Sequence, residues 1–218
     1  MLNKKLLLCA GTFALIGASS SVFAFPQLSE SYKTTETSSV VLASSSIEDD
    51  AKEFVSKLAK EGIGFLENKD ITQEKREQEF RKLLQQNFDM KTIGRFALGR
   101  YWKTSTKSQQ EEYLKLFEEM IVNVYSRRFG EYNGEELKVN AARPQGKADV
   151  LVLSSIVPQS GPEISVDWRI RKKKNGQLKV VDIIVEGVSM SLTQRSDFAS
   201  VIQRGGGNVD ILLSHLRK

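Results

Sequence analysis

The side chains that could perform acid–base, nucleophilic or metal chemistry are few in this chain of 218 residues. The only histidine, His215, falls in a predicted terminal helix, where an imidazole favours the helix dipole or is exposed. The only cysteine, Cys9, falls in an apolar N-terminal run. The adjacent acids Asp49-Asp50 and Glu111-Glu112 lie beside predicted helix starts, where carboxylates stabilise the helix dipole. We therefore predict no catalytic residue, no metal site and no cofactor.

The basic and glycine-rich segments also favour structural roles. Arg171 to Lys174 lead into Asn175-Gly176, a strong hairpin signal, and lysines at a hairpin tip are normally solvated. The alternative for this basic run is a contact with anionic lipid headgroups or an acidic docking partner. Gly205-Gly206-Gly207 precedes a helix but lacks the preceding strand and the Gly-x-Gly-x-x-Gly spacing of a phosphate-binding loop.

The first 24 residues carry the pattern of a secretory signal peptide. Lys4 and Lys5 precede an apolar run over residues 6–18, and Val22-Phe23-Ala24 places small residues at the two positions that a signal peptidase reads. The run is too short and wrongly flanked for a membrane span. We therefore predict cleavage after Ala24 and export of the mature chain.

The next segment, residues 25–46, is predicted to be a flexible leader that serves as a spacer. It holds ten Ser or Thr among 22 positions, and such a segment buries too little apolar surface to become ordered. After removal of residues 1–24, 30 basic residues face 27 acidic ones, a net charge of about +3. This balance is too weakly basic for a nucleic-acid partner. Residues 47–218 are predicted to form a single domain.

The first half of this domain has helical periodicity. Ser46 with Asp49 makes a capping box, and Thr72 and Asp89 open two further helices. Thr106 with Gln109 opens the predicted longest helix, which runs to about Phe129. Its apolar arc is broad, which is typical of a helix that contacts neighbours on two sides.

After Asn133-Gly134 the apolar period changes from 3.6 to 2. Four antiparallel strands and two closing helices are predicted, near residues 137–141, 150–157, 164–170 and 178–185, then 193–204 and 209–216. The fold class is α+β. N-terminal helices, a curved four-stranded antiparallel sheet and C-terminal helices would enclose an apolar cavity.

Two blocks of this sequence, residues 96–132 and 166–216, resemble the MlaC family, also called the toluene-tolerance family, of periplasmic phospholipid-binding proteins. The resemblance covers residues 47–216, nearly all of the predicted domain. It is most specific in the second block. The matching elements are Leu98-Gly99-x-x-Trp102, Gln109 at the start of the long helix, and Asp182-x-x-x-Glu186-Gly187-Val188-Ser189 with Phe198 downstream.

The resemblance implies a lipid-binding domain and a monomeric carrier that shuttles a diacyl phospholipid. Its partners would be an outer-membrane lipoprotein complex and an inner-membrane ABC-transporter complex, and it would contribute to outer-membrane lipid asymmetry. Two acyl chains carry on the order of 20 kcal/mol of hydrophobic penalty in water, at ~0.8 kcal/mol per methylene. A carrier must therefore hold them in a deep apolar pocket and leave the headgroup facing water.

The resemblance also indicates which side chains would contact the lipid. The Tyr125 hydroxyl would bond the ester or phosphate end. Arg169 is a second candidate for the phosphate, although a plain exposed arginine is the favoured interpretation of that residue. Core and pocket-wall residues look alike in sequence, so each apolar position has the plain core as its alternative. The predicted lining is Phe96, Leu98, Trp102, Phe117, Met120, Val124, Tyr125, Val150, Val152, Trp168, Ile170, Val181, Ile183, Val185, Val188 and Phe198.

Two other classes of protein stay open at this point. One is an enzyme acting on a lipophilic substrate, for which Asp182, an acid within an apolar strand, is the best candidate acid or base. The other is an interaction module with a filled core and no cavity. Turnover would identify the first, and a dry, filled interior would identify the second.

Overall fold

The computed structural model of the protein describes residues 46–68 and 70–217. The predicted signal peptide and all of the predicted leader except Ser46 lie outside the described residues, so both assignments stay predictions. Within the described residues, no helix combines the length and the apolar character needed to cross a membrane.

Four helices begin where the sequence indicates. The side chains of Ser46, Thr72 and Asp89 each accept a hydrogen bond from the backbone amide three residues further on. Thr106 and Gln109 form a complete capping box. The helices before the sheet are α1 (Ile47–Glu67), α2 (Gln73–Asn87), α3 (Met90–Leu98), α4 (Tyr101–Thr104) and α5 (Lys107–Ser126).

The end of α5 differs from the prediction. The helix stops at Ser126, and Phe129–Glu131 form a separate 3₁₀ turn. With 20 residues α5 is one residue shorter than α1, so its expected rank as the longest helix was wrong. Gly62 and Gly64 do not interrupt α1, since its apolar face packs on α2 and the sheet.

The sheet contains one strand more than predicted. Its strands are β1 (Glu136–Gln145), β2 (Asp149–Val157), β3 (Ile164–Lys172), β4 (Leu178–Val185) and β5 (Val188–Ser189). They lie in sequence order, and each neighbouring pair is antiparallel. The four expected strands are confirmed. β5 has two residues, too few for an alternating pattern to reveal it.

Two helices follow the sheet, α6 (Met190–Arg204) and α7 (Val209–Leu216). α6 begins three residues before the expected Thr193, because the Ser189 side chain accepts a hydrogen bond from the Leu192 amide and caps the helix. The α+β class is confirmed, and the described residues belong to one compact unit.

The apolar interior is divided into two clusters. The first, here called the helical core, is built by helices α3 to α7. It contains Ala97, Leu98, Tyr101, Tyr113, Phe117, Phe198, Ile202, Val209, Leu212 and Leu213. Tyr113, Phe117 and Phe198 contact one another at ring-centroid distances of 5.8–6.2 Å, and the Tyr113 hydroxyl donates to the Gly94 carbonyl at 2.9 Å.

The second cluster, here called the sheet core, lies between α1, α2 and one face of the sheet. It contains Ala51, Val55, Leu58, Leu83, Val150, Val152, Ile170 and Val180. α1 packs on β1 and β2, whereas α5 packs on α2, α3 and α7 and has little contact with any strand. The two cores are therefore built on different elements, with Ala97 and Leu98 of α3 in the helical core and Leu83 of α2 in the sheet core.

Candidate functional site

The α1-facing side of the sheet carries a row of apolar cross-strand neighbours. Val152 pairs with Trp168, and Trp168 pairs with Ile183. The Trp168 Nε1 donates to the Ser154 Oγ at 3.0 Å, and that hydroxyl in turn donates to the Val166 carbonyl. The one polar atom of the indole is thus satisfied by the protein, which leaves a fixed, half-buried apolar surface.

Four aromatic rings connect α1, α2 and the end of α5, and we call them the aromatic row. Phe65 lies 5.8 Å from Phe129, Phe129 lies 5.3 Å from Phe80, and Phe80 lies 6.3 Å from Tyr125, measured between ring centroids. Phe65 also packs against the sheet core. The other three rings belong to neither core, and Tyr125 is exposed. The row therefore runs from the sheet core to the end of α5.

Tyr125 combines exposure with desolvation. The residue is 43% exposed, yet burial raises the pKa of its hydroxyl, an effect that the nearby Arg128 charge partly opposes. Within the described residues, the Tyr125 hydroxyl makes no hydrogen bond. A partly exposed hydroxyl that has no partner in the described part of the protein can donate to a ligand.

The structure distributes the predicted lining residues over both cores and does not gather them on one wall. Seven are buried: Leu98, Phe117 and Phe198 in the helical core, Val150, Val152 and Ile170 in the sheet core, and Val181. Five are half buried: Trp102, Met120, Trp168, Ile183 and Val185. Four are exposed: Phe96, Val124, Tyr125 and Val188. The lipid contacts of all of them stay predictions.

Two of the exposed residues lie on elements that pack against α6. The ring of Phe96, on α3, lies under the Arg195 guanidinium, 5.2 Å from its centroid, an arrangement typical of a cation–π contact. Val188 lies on β5. Neither residue belongs to the aromatic row, so the surface that they share with α6 is separate from the row.

Arg169, the second headgroup candidate, is engaged elsewhere. Its Nε donates to the Asp149 carboxylate at 2.6 Å, and Arg171 donates to the same carboxylate. Burial opposes ionisation of Asp149, but the hydrogen bonds from Arg171 and Arg169 outweigh it and hold the pKa of that carboxyl below its ordinary value. Arg169 lies on the opposite strand face from Trp168, so a contact with lipid phosphate would have to compete with Asp149 from the other side of the sheet.

The first residue of the Asp182-to-Ser189 motif joins β4 to α6. The Asp182 carboxylate accepts hydrogen bonds from the Ser189 hydroxyl at 2.6 Å and from the Ser191 amide at 3.1 Å. It also accepts one from the amide of Ile183. These contacts give the acid a structural role, because its oxygens fix the start of the helix that follows the sheet.

The middle of the motif forms the turn between β4 and β5. Glu186 has φ 50° and Gly187 has φ 78°, and two consecutive positive values are typical of a type I′ hairpin turn. The Glu186 amide donates to the Ser165 carbonyl at 3.0 Å, and the Glu186 carboxylate accepts from the Ser165 amide. This double contact with β3 stabilises the left-handed conformation of Glu186, which is strained for a residue other than glycine.

A family model described as MlaC protein matches residues 56–218. The chain belongs to the MlaC family. The match includes α2 to α7, all five strands and most of α1. It therefore includes all of the aromatic row and the Asp182-to-Ser189 motif.

Two curated relatives and one solved structure are similar to the chain. The intermembrane phospholipid transport system binding protein MlaC of Haemophilus influenzae is 22% identical over 134 residues, 60% of this chain and 61% of that protein. The toluene tolerance protein ttg2D of Pseudomonas putida is 23% identical over 111 residues, 51% of each chain. The matched stretches thus span between half and two thirds of these relatives.

The structural match is more extensive. A phospholipid-binding protein from Ralstonia solanacearum, solved in complex with a phospholipid, superposes with a TM-score of 0.67 at 25% identity. The superposition covers 77% of this chain and 94% of that protein. It confirms the fold class expected from the sequence.

Sequence reasoning missed three members of the aromatic row, Phe65, Phe80 and Phe129. The sequence places Phe129 at the end of the predicted long helix, and no motif singles out Phe65 or Phe80. Their convergence depends on the packing of α1, α2 and α5, which periodicity within one helix does not reveal. Position offers no common signal either, since Phe65, Tyr125 and Phe129 lie near or beyond helix ends but Phe80 lies in the middle of α2.

Proposed function

We propose that this protein is a phospholipid carrier of the periplasm, which holds a diacyl phospholipid with its acyl chains buried and its headgroup exposed. The observation that carries the proposal is the superposition over 94% of a protein solved with a bound phospholipid. The family membership and the phospholipid transport named for the Haemophilus influenzae relative support it.

The acyl chains require an apolar wall, and the aromatic row with the neighbouring sheet surface offers one. Phe80 and Phe129 are half buried, and Trp168 presents a ring whose polar atom is already bonded. Each methylene moved from water to such a wall contributes ~0.8 kcal/mol. A lipid chain lying along the row would cover these rings, and the Tyr125 hydroxyl would then lie at the polar end of the lipid.

We further infer that the protein is a binding protein and not an enzyme. Asp182 was the best candidate for an acid or base, and its carboxylate instead accepts hydrogen bonds from Ser189 and Ser191. In this proposal residues 1–24 direct export, residues 25–46 act as a spacer, and residues 47–218 bind the lipid as a monomer. The partners are an outer-membrane lipoprotein complex and an inner-membrane ABC-transporter complex.

The experiment that tests the proposal is phospholipid transfer between vesicles. The full chain is expressed in a Gram-negative host, purified from the periplasmic extract without detergent, and mixed with donor vesicles containing radiolabelled phospholipid and unlabelled acceptors. The rate at which label reaches the acceptors is expected to rise in proportion to protein concentration. A rate equal to that of vesicles alone would overturn the carrier function.

Two matched variants localise the activity. Val124 and Leu192 are both exposed apolar residues on helices, but only Val124 adjoins the aromatic row. Val124→Asp is expected to reduce transfer by about 10-fold, whereas Leu192→Asp leaves it unchanged, because only the first places a charge beside the acyl chains. Equal transfer by both variants would remove Val124 from the site.

A further inference from the structure

Arg76 differs from the other half-buried arginines in the part of the chain that the structure describes. Arg81 pairs with Glu119 at 2.8 Å, and Arg169 and Arg171 each pair with Asp149 at 2.6 Å. Among the described residues, no carboxylate lies within ion-pair distance of Arg76. A guanidinium that is partly removed from water without a counter-charge is destabilising, so such a group favours an anion beside it.

The hydrogen bonds of Arg76 are also incomplete. One terminal nitrogen, Nη2, donates to the Asn68 carbonyl at 2.9 Å. The Nε is buried and has no acceptor among the residues that the structure describes. Buried N–H groups are paired in the great majority of cases, with protein, water or ligand, and an orphaned donor calls for an explanation.

The position of Arg76 connects it to the aromatic row. It lies on α2 between Gln73, whose side chain donates to the Ser126 carbonyl at 3.0 Å, and Phe80, a member of the row. Residues three and four apart share one face of a helix. Through Asn68 the guanidinium also reaches the end of α1. Arg76 therefore lies where α1 ends, α2 begins and α5 ends.

The Arg76 Nε and the Tyr125 hydroxyl are thus two donors without a partner among the described residues. Phe80 connects them, since it lies one helical turn after Arg76 on α2 and its ring lies 6.3 Å from that of Tyr125. Two such donors beside an aromatic ring match an amphiphile with an anionic group. Arginine suits phosphate in particular, because its planar guanidinium presents several N–H groups to the phosphate oxygens and keeps its charge at all physiological pH values.

We propose that Arg76 binds the phosphate of the carried lipid, with the Tyr125 hydroxyl as a second donor to the same phosphate or to the adjacent ester. This inference rests on the proposed carrier function. It assigns the protein a requirement for a phosphate group, so that phospholipids are retained and neutral diacylglycerols with the same acyl chains are not. Free inorganic phosphate shares the recognised chemistry but lacks the chains.

The test is a competition between phosphatidic acid and diacylglycerol of identical chains, offered together in vesicles to the full chain and measured by native mass spectrometry. The wild type is expected to prefer phosphatidic acid by about 10-fold or more, and Arg76→Gln to lose that preference. Arg76→Lys keeps the charge but not the Nε donor, and is expected to fall between them. Arg81→Gln, on the same helix but paired with Glu119, is the matched control and keeps the wild-type preference.

The outcomes separate the two proposals. A wild type that binds neither lipid would overturn the carrier function itself. An Arg76→Gln variant that unfolds at the wild-type temperature and keeps the wild-type preference would overturn the role of Arg76. It would not contradict the carrier function. If Arg76→Gln does not fold, an Arg76→Lys variant with undiminished preference has the same meaning.

Inorganic phosphate serves as the second arm. We expect it neither to raise the melting temperature of the wild type nor to displace phosphatidic acid, because the site gains most of its affinity from the acyl chains. A melting temperature that rises with phosphate in the wild type and not in Arg76→Gln would overturn the lipid assignment in favour of a free-phosphate site.

Discussion

The molecule contains two groups of aromatic rings that have nearly the same spacing but differ in burial and in hydrogen bonding. In the helical core, Tyr113, Phe117 and Phe198 are each at most 3% exposed, and the one hydroxyl among them is hydrogen-bonded to Gly94. In the aromatic row, the rings lie 5.3–6.3 Å apart but stay partly exposed, and the Tyr125 hydroxyl has no partner within the described residues.

Residue type and ring spacing therefore do not distinguish a core from a binding surface. In the helical core the apolar area is buried and the hydroxyl is hydrogen-bonded, so a ligand would add no burial and no hydrogen bond there. In the aromatic row, apolar area stays exposed and the Tyr125 hydroxyl has no partner among the described residues, so an amphiphile could cover both. Substitutions in the two places should therefore have opposite effects on stability and on lipid binding.

The largest effect is expected when a ring is removed from the helical core. Phe117→Ala should lower the free energy of unfolding by about 3–5 kcal/mol, because it leaves a cavity among well-packed rings. Phe80→Ala, in the row, should lower it by less than half of that, since the ring is only partly buried. Urea denaturation of both variants measures the two free energies of unfolding. Equal losses would mean that the two rings contribute alike to the core.

A second test compares paired with unpaired arginines. Asp149→Asn removes the carboxylate shared by Arg169 and Arg171 and should lower the free energy of unfolding by about 1–3 kcal/mol at pH 7. Because the folded-state pKa of Asp149 lies below its ordinary value, this stabilisation is present above about pH 4 and is lost as the pH falls through the lowered pKa.

The pH dependence of the difference between wild type and Asp149→Asn is the deciding readout. Chemical denaturation from pH 7 down to pH 3 should show the two stability curves converging at the acid end. A difference that stays constant over this range would mean that the carboxylate charge is not what stabilises the sheet at this position.

A smaller effect is expected from Tyr113→Phe. The change removes one buried hydroxyl and its bond to the Gly94 carbonyl while keeping the stacked ring, so it should lower the free energy of unfolding by about 0.5–1.5 kcal/mol. Lipid transfer should be unaffected. A loss of transfer without a loss of stability would place Tyr113 in the binding site and contradict the assignment of the helical core.

The matched change in the aromatic row, Tyr125→Phe, should have the smallest effect on stability, within about 0.5 kcal/mol, because its hydroxyl has no partner to lose among the described residues. Phospholipid occupancy should fall, since the variant lacks a donor to the lipid. Measured side by side, Tyr113→Phe should lower stability but not lipid transfer, and Tyr125→Phe should lower lipid transfer but not stability. The same pattern for both variants would contradict the difference between the helical core and the aromatic row.

Much of the fold could be predicted because it depends on local sequence signals. The caps at Ser46, Thr72, Asp89 and Thr106 fixed four helix starts, and alternating apolar residues fixed four strands. The features that escaped, β5 and the early start of α6, depend on contacts between β4 and the segment after it. Ser189 is the clearest case, since it caps α6 and bonds Asp182 at once.

The site was less predictable than the fold for a physical reason. A side chain is selected as apolar whether it fills a core or lines a pocket, so Phe117 and Val124 look alike in sequence although one is buried and the other is exposed. Tyr125 was identified because its hydroxyl made it distinctive. Phe80, Phe129 and Arg76 were not, because their significance arises only from the packing of α1, α2 and the end of α5.

Native mass spectrometry tests directly whether the protein carries a phospholipid. The full chain is expressed in a Gram-negative host, purified from the periplasm without detergent and measured intact, and its ligands are then extracted and identified. We expect a mass increment that matches one diacyl phospholipid and disappears after lipid extraction. A protein that is empty on purification, and stays empty after incubation with phospholipid vesicles, would contradict the claim.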